Sequence, residues 1–123
     1  MKKFEANIVF IGDMAEEFKS QNMIILFDSG APEELKEISV VHRGGIYRGE
    51  VVPGDFLFIG AFGYRVTSVG EVANKNLKNI GHVCLKFDGS TVPELPGNIH
   101  LEEKALPDLK VGDEIYIVEG QEK

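Results

Sequence analysis

The chain has 123 residues and carries 20 Asp and Glu against 13 Lys and Arg, a formal net charge of −7. That length suits one domain, 1–123, with a single modest core and no separate substrate domain, and the acidic balance opposes a nucleic-acid surface, which needs a basic stripe against phosphate. Apolar runs such as Phe56 to Ile59 fall far short of the roughly 20 residues that cross a bilayer, so no direct membrane insertion is expected.

The opening Met-Lys-Lys does not lead into a signal peptide, because Glu5 and Asn7 interrupt the apolar stretch and no small-residue cleavage pattern follows; the expected compartment is the cytoplasm. Glu5 to Ile11 then begins a series of short β-branched or aromatic runs punctuated by glycine, the pattern of a many-stranded barrel or sandwich. Asp13 is placed to cap a helix over 14–19, ahead of a strand at Met23 to Phe27. Ala31-Pro32-Glu33-Glu34-Leu35 has the proline and acids of a first helical turn. Strands at Ile38 to Val41 and Ile46 to Val51 flank a Gly44-Gly45 turn, and two more follow at Phe56 to Ile59 and Tyr64 to Val69. A third short helix over Glu71 to Leu77 is closed by Gly81 in a left-handed cap, before a strand from His82 to Phe87. All three helices are too short to stand without the sheet.

Asp88 to Asp108, with Pro93, Pro96 and Pro107, reads as a long surface connection containing one strand at Asn98 to Leu101. Glu114 to Val118 is the last strand, and Glu119 to Lys123 is expected to fray. The phrase VPGDFLFIG at 52–60 echoes KVGDEIYIV at 110–118; both put a Gly-Asp turn ahead of an alternating strand, although such turn chemistry is too common to establish a duplication. The fold expected is mainly β, a small closed or partly closed antiparallel β-barrel with short helices.

Three histidines hold the chemistry. His42 ends the apolar run Ile38-Ser39-Val40-Val41 and is followed by Arg43-Gly44-Gly45. An imidazole with an ordinary pKa near roughly 6.5 is largely neutral at cytoplasmic pH and keeps one nucleophilic nitrogen. Two glycines let backbone N–H groups turn toward an anion, and the arginine can fork onto its oxygens. That combination suits phosphoryl transfer through a covalent histidine adduct. A histidine that merely faces water in a Gly-rich hairpin fits the same local sequence. His82, between Gly81 and Val83 at a strand entrance, reads equally as a second active-site histidine or as a satisfied core-rim residue. His100 alternates with Ile99 and Leu101 and is expected on the solvent face, without a role.

Competing chemistries lack an inventory. The lone Cys84 sits in the alternating run Val83 to Phe87 and reads as a structural strand residue. With no clustered ligands a metal site is not expected, and no GxGxxG, GxxxxGK[ST] or GxSxG string supports a nucleotide cofactor or a hydrolase.

The run Tyr64-Arg65-Val66-Thr67-Ser68-Val69-Gly70-Glu71-Val72-Ala73, then Asn76-Leu77, Gly81-His82 and Phe87-Asp88-Gly89, closely resembles the glucitol/sorbitol-specific IIA component of the bacterial phosphoenolpyruvate-dependent sugar phosphotransferase system. Met23 to Phe27 with Gly30-Ala31-Pro32, Glu34-Leu35, Val41-His42, Gly45, Gly49, Pro53-Gly54 and Pro96-Gly97 before His100 extend the resemblance over nearly the whole chain. The resemblance implies a small cytoplasmic barrel that carries phosphate on a histidine between the phosphocarrier HPr and the sugar-specific IIB component. It maps the acceptor onto His42 and a supporting partner onto His82, while the phosphate-binding role of Arg43, Gly44 and Gly45 rests on their local chemistry. Relatives can carry a second histidine two positions after the acceptor, where this chain has Gly44. The resemblance is compatible with a homo-oligomer and says nothing about which polyol is served. The competing class is a non-catalytic small β-barrel binding module, for which His42 would be dispensable.

Overall fold

A computed structural model describes residues 1–120; of the C-terminal stretch expected to fray, residues 121–123 lie outside the described residues. Eight strands close into a barrel in the order β1-β3-β2-β6-β7-β5-β4-β8. They are β1 (Lys2–Ile11), β2 (Met23–Asp28), β3 (Val40–Tyr47), β4 (Phe56–Ile59), β5 (Phe62–Val69), β6 (Val83–Lys86), β7 (Asn98–Leu101) and β8 (Glu114–Val118). Three short helices decorate them: α1 (Ala15–Lys19), α2 (Glu33–Lys36) and α3 (Ala73–Ile80). The expected barrel is present and closed. Most neighbours are antiparallel, but β2–β3 and β6–β7 run parallel, because α2 and the connection after β6 return the chain to the starting end of the sheet instead of turning back as hairpins.

Period-two alternation fills the interior. Phe4, Ala6 and Ile8 of β1, Leu57 and Ile59 of β4, Tyr64 and Val66 of β5, Val83 and Leu85 of β6, and Ile115 and Ile117 of β8 all join one core. Removing each of the Phe, Ile, Leu and Val side chains among them from water stabilises the fold by about 1.5–3 kcal/mol. The helix α3 packs on this core through Ala73 and Leu77, one turn apart. The two echoed turns have the same backbone, Gly54 at φ 99° and Gly112 at φ 102°, and the strands they introduce, β4 and β8, lie side by side.

Two readings of the sequence need correction. The first concerns Ile38 to Val41 and Ile46 to Val51, which are not two strands about a glycine turn. Val40–Tyr47 forms one strand, paired along its length with β1. Between Asn7↔Arg43 and Glu5↔Ile46, β3 advances three residues while β1 advances two. The extra residue is a β-bulge with Gly44 at φ 75°. His42 is therefore inside a strand rather than at its end.

The second is His100, expected on the solvent face but fully buried. Every residue of β7 is buried, since one face meets the core and the connection that follows β6 folds over the other. His100 fastens that cover: its Nδ1–H donates to Asp88 Oδ1 at 2.8 Å, and its Nε2 accepts the Glu94 N–H at 3.0 Å.

Candidate functional site

His42 lies between β1 and β2, opposite Ile8 on one side and Asp28 on the other. Its side chain turns inward, meeting the Phe4 ring edge-on at 5.7 Å between centroids, and the residue has 0 % exposure. The bulge at Gly44 explains what shares its face. Without the extra residue, positions 45 and 47 would alternate away from position 42; with it, Gly45 and Tyr47 border the same cavity as His42. This cavity, about 200 Å³, is walled by Phe4, Asp28, Gly45, Tyr47 and residues 77–81 at the end of α3.

The end of α3 sets the orientation of the imidazole. Gly81 takes the left-handed conformation at φ 62°, as its place after the helix suggests, and its N–H bonds back to Leu77 O at 3.1 Å. Its carbonyl lies 2.8 Å from His42 Nε2. A carbonyl only accepts, so this nitrogen carries the hydrogen and the other ring nitrogen keeps the lone pair. That other nitrogen, Nδ1, is buried without a hydrogen-bond partner among the described residues. Burial pushes the His42 pKa below the ordinary histidine range, while the Gly81 carbonyl and the Asp28 charge act upward without reversing it. The ring is neutral at neutral pH, which is the nucleophilic form.

Gly81 is constrained twice over. A Cβ there would stand 2.7 Å from His42 Cε1 and 2.9 Å from Asp28 Cβ, so the approach of this turn to the histidine requires glycine as much as the backbone angle does. Tyr47 is tied to α3 by its hydroxyl, which donates to Asn74 Oδ1 at 3.0 Å; the same amide oxygen accepts the Val51 N–H at 2.7 Å.

Not every residue singled out in the sequence joins this site. Arg43, next in the strand, points to the opposite face and borders a separate cavity of about 790 Å³ with Phe10, Asp13 and Glu37. Gly44 supplies the bulge and faces open space. Gly45 belongs to the His42 cavity, where a Cβ would make only ordinary contacts with Phe4 at 3.5 Å and His42 Cε1 at 3.9 Å. His82 is half-buried and, among the described residues, forms no hydrogen bond or ring stack with His42. Its Nδ1–H donates to Leu26 O at 3.2 Å, and its ring stacks on Phe27 at 4.4 Å, which secures the Gly81 turn against β2. Lys78 was not among the residues expected at the site; it borders the cavity from the last turn of α3. The only signal for it in the sequence was a basic residue three positions before Gly-His, where it also complements the helix dipole. Cys84 is half-buried in β6, and burial raises its pKa, as suits an inert thiol. Among the described residues no cluster of His, Cys, Asp and Glu could hold a metal ion, and no helix is long and apolar enough to cross a membrane.

Residues 3–116 match the family of the glucitol/sorbitol-specific IIA component of the phosphotransferase system. The glucitol/sorbitol-specific EIIA components of Shigella flexneri and Escherichia coli K12 are each 38 % identical over 109 residues, covering 89 % of this chain and 89 % of theirs. The crystal structure of a phosphotransferase-system IIA component from Enterococcus faecalis V583 superposes with a TM-score of 0.82 at 32 % identity, covering 93 % of this chain and 99 % of that one.

Proposed function

The chain belongs to the glucitol/sorbitol-specific IIA components of the sugar phosphotransferase system, and from that premise we propose that it carries the phosphoryl group on His42, taking it from HPr and passing it to a IIB component. It acts as one IIA domain over residues 1–123, in the cytoplasm, where both soluble donor and membrane-associated acceptor can be reached. The observation that carries this reading is the buried, neutral His42 ring with one nitrogen bonded to Gly81 O and the other without a partner.

In the forward step the lone pair of the nitrogen turned away from Gly81 attacks phosphorus. The new N–P bond forms as the bond between phosphorus and the donor imidazole breaks, and that electron pair returns to the donor ring. No proton leaves His42, because its second nitrogen keeps the hydrogen it donates to Gly81 O. The positive charge that accompanies the phosphoryl group onto the ring is met by that carbonyl and by Asp28, one strand away. Reversal of the same step delivers the group to the next acceptor. His82 serves as a positioning residue through the Gly81 turn.

At 0 % exposure His42 must be uncovered as a partner docks. The cover includes Asn79 and Ile80, both exposed at the end of an eight-residue helix anchored by two buried side chains. Such an end opens at low cost. Incubation with phosphoenolpyruvate, the general phosphotransferase enzyme and HPr tests the proposal: an acid-labile adduct by intact mass is expected, and a protein that stays unmodified would be a binding barrel instead.

A further inference from the structure

The cavity beside His42 has an electrostatic problem that its own walls define. A phosphoryl group there brings nearly two negative charges. The Gly81 carbonyl faces the ring, the carbonyl end of α3 carries the negative pole of the helix, and Asp28 adds a full carboxylate to the lining. Each of these disfavours the anion, so the phosphorylated state needs a cation within the same space. Arg43 cannot supply it from the far side of β3, where it borders the other cavity. Tyr47 has committed its hydroxyl hydrogen to Asn74, and Asn79 is neutral.

One cation borders the cavity, Lys78. It is exposed, and among the described residues it enters no ion pair. A flexible ammonium on four methylenes can follow a phosphoryl group into and out of a closing site. We propose that Lys78 is the residue that binds the phosphoryl group on His42, in place of Arg43, using a charge-assisted hydrogen bond to a phosphoryl oxygen. The inference rests on His42 as the acceptor. It also gives the exposed end of α3 a purpose, since the segment that covers the histidine brings its counter-charge with it.

The test compares Lys78→Gln, Lys78→Arg, Arg43→Gln and His42→Gln for phosphorylation by HPr, with melting curves for each. Lys78→Gln should melt like the unaltered protein and accept phosphate about 10- to 100-fold more slowly, the worth of one hydrogen bond to a charged group. Lys78→Arg should recover most of the rate, and Arg43→Gln should match the unaltered protein. Phosphorus NMR supplies a readout that a purely structural lysine would not move: a neighbouring ammonium favours the dianion, so the phosphoryl group should lose its last proton at higher pH in Lys78→Gln. An adduct that needs His42 but is indifferent to Lys78 in rate and titration overturns this inference alone. An adduct that survives His42→Gln overturns the acceptor assignment and Lys78 with it.

Discussion

Replacing Gly81 with alanine probes the contact that orients His42. The left-handed angle at φ 62° costs a residue with a Cβ about 1–2 kcal/mol. The new methyl would also stand 2.7 Å from His42 Cε1 and 2.9 Å from Asp28 Cβ, neither of them the free end of a flexible chain, and overpacking of this kind adds about 1–3 kcal/mol. The sum, roughly 2–5 kcal/mol, is a large part of the roughly 5–15 kcal/mol that stabilises a domain. At about 4 °C per kcal/mol for a chain of this size, the melting temperature should fall by roughly 8–20 °C. Gly44→Ala is the matched control, with φ 75° and nothing within 4 Å of the added carbon. It meets the angle cost alone and should lose only about 4–8 °C. Calorimetry on both variants, followed by phosphorylation at a temperature where each is folded, separates the two terms. Equal losses of stability, or a Gly81→Ala protein that accepts phosphate normally, would refute the idea that the approach of Gly81 to the imidazole matters.

His82→Ala removes a stack and one hydrogen bond to β2, so it should lower stability by about 1–2 kcal/mol and slow phosphorylation without abolishing it; complete loss of the adduct in a folded protein would give His82 a direct role. Because burial lowers the His42 pKa, the unfolded chain binds its proton first as pH falls through about 6.5, so stability contributed by this group is present above that pH and lost below it. Denaturation midpoints between about pH 7.5 and 5.5 should show this decline, and His42→Gln should flatten it; an unchanged slope would mean that the histidine titrates freely. Transfer from HPr should slow as salt rises if the excess of acids steers docking, and rates independent of ionic strength would remove that contribution. His100→Ala strips the fastening from the connection over β7, with an expected loss of about 2–4 kcal/mol and normal phosphorylation wherever the protein remains folded.

Most of the barrel was legible because its strands obey the simplest pattern, alternate apolar positions between turn residues. Phe56–Ile59 and Glu114–Val118 have the bounds that their sequences suggest. The failures are informative. Gly44-Gly45 has the composition of a turn, and only the pairing of one long β1 against both flanks makes it a bulge. That pairing is non-local, and so is the change of face that brings Gly45 and Tyr47 beside His42 while sending Arg43 away. His100 alternates with apolar neighbours as an exposed residue would, yet a connection that it holds itself covers that face. Gly81-His82 was legible as a motif, but its working part proved to be the glycine carbonyl, which no side-chain pattern reports. Lys78 was hidden by the ordinary role of lysine in a last helical turn.

Mapping the phosphoryl adduct tests the central claim most directly. After incubation with phosphoenolpyruvate, the general phosphotransferase enzyme and HPr, mass spectrometry at neutral to alkaline pH should find one acid-labile phosphoryl group on His42 and none on folded His42→Gln. An adduct on His82 or His100, or one that persists in His42→Gln, would contradict the account.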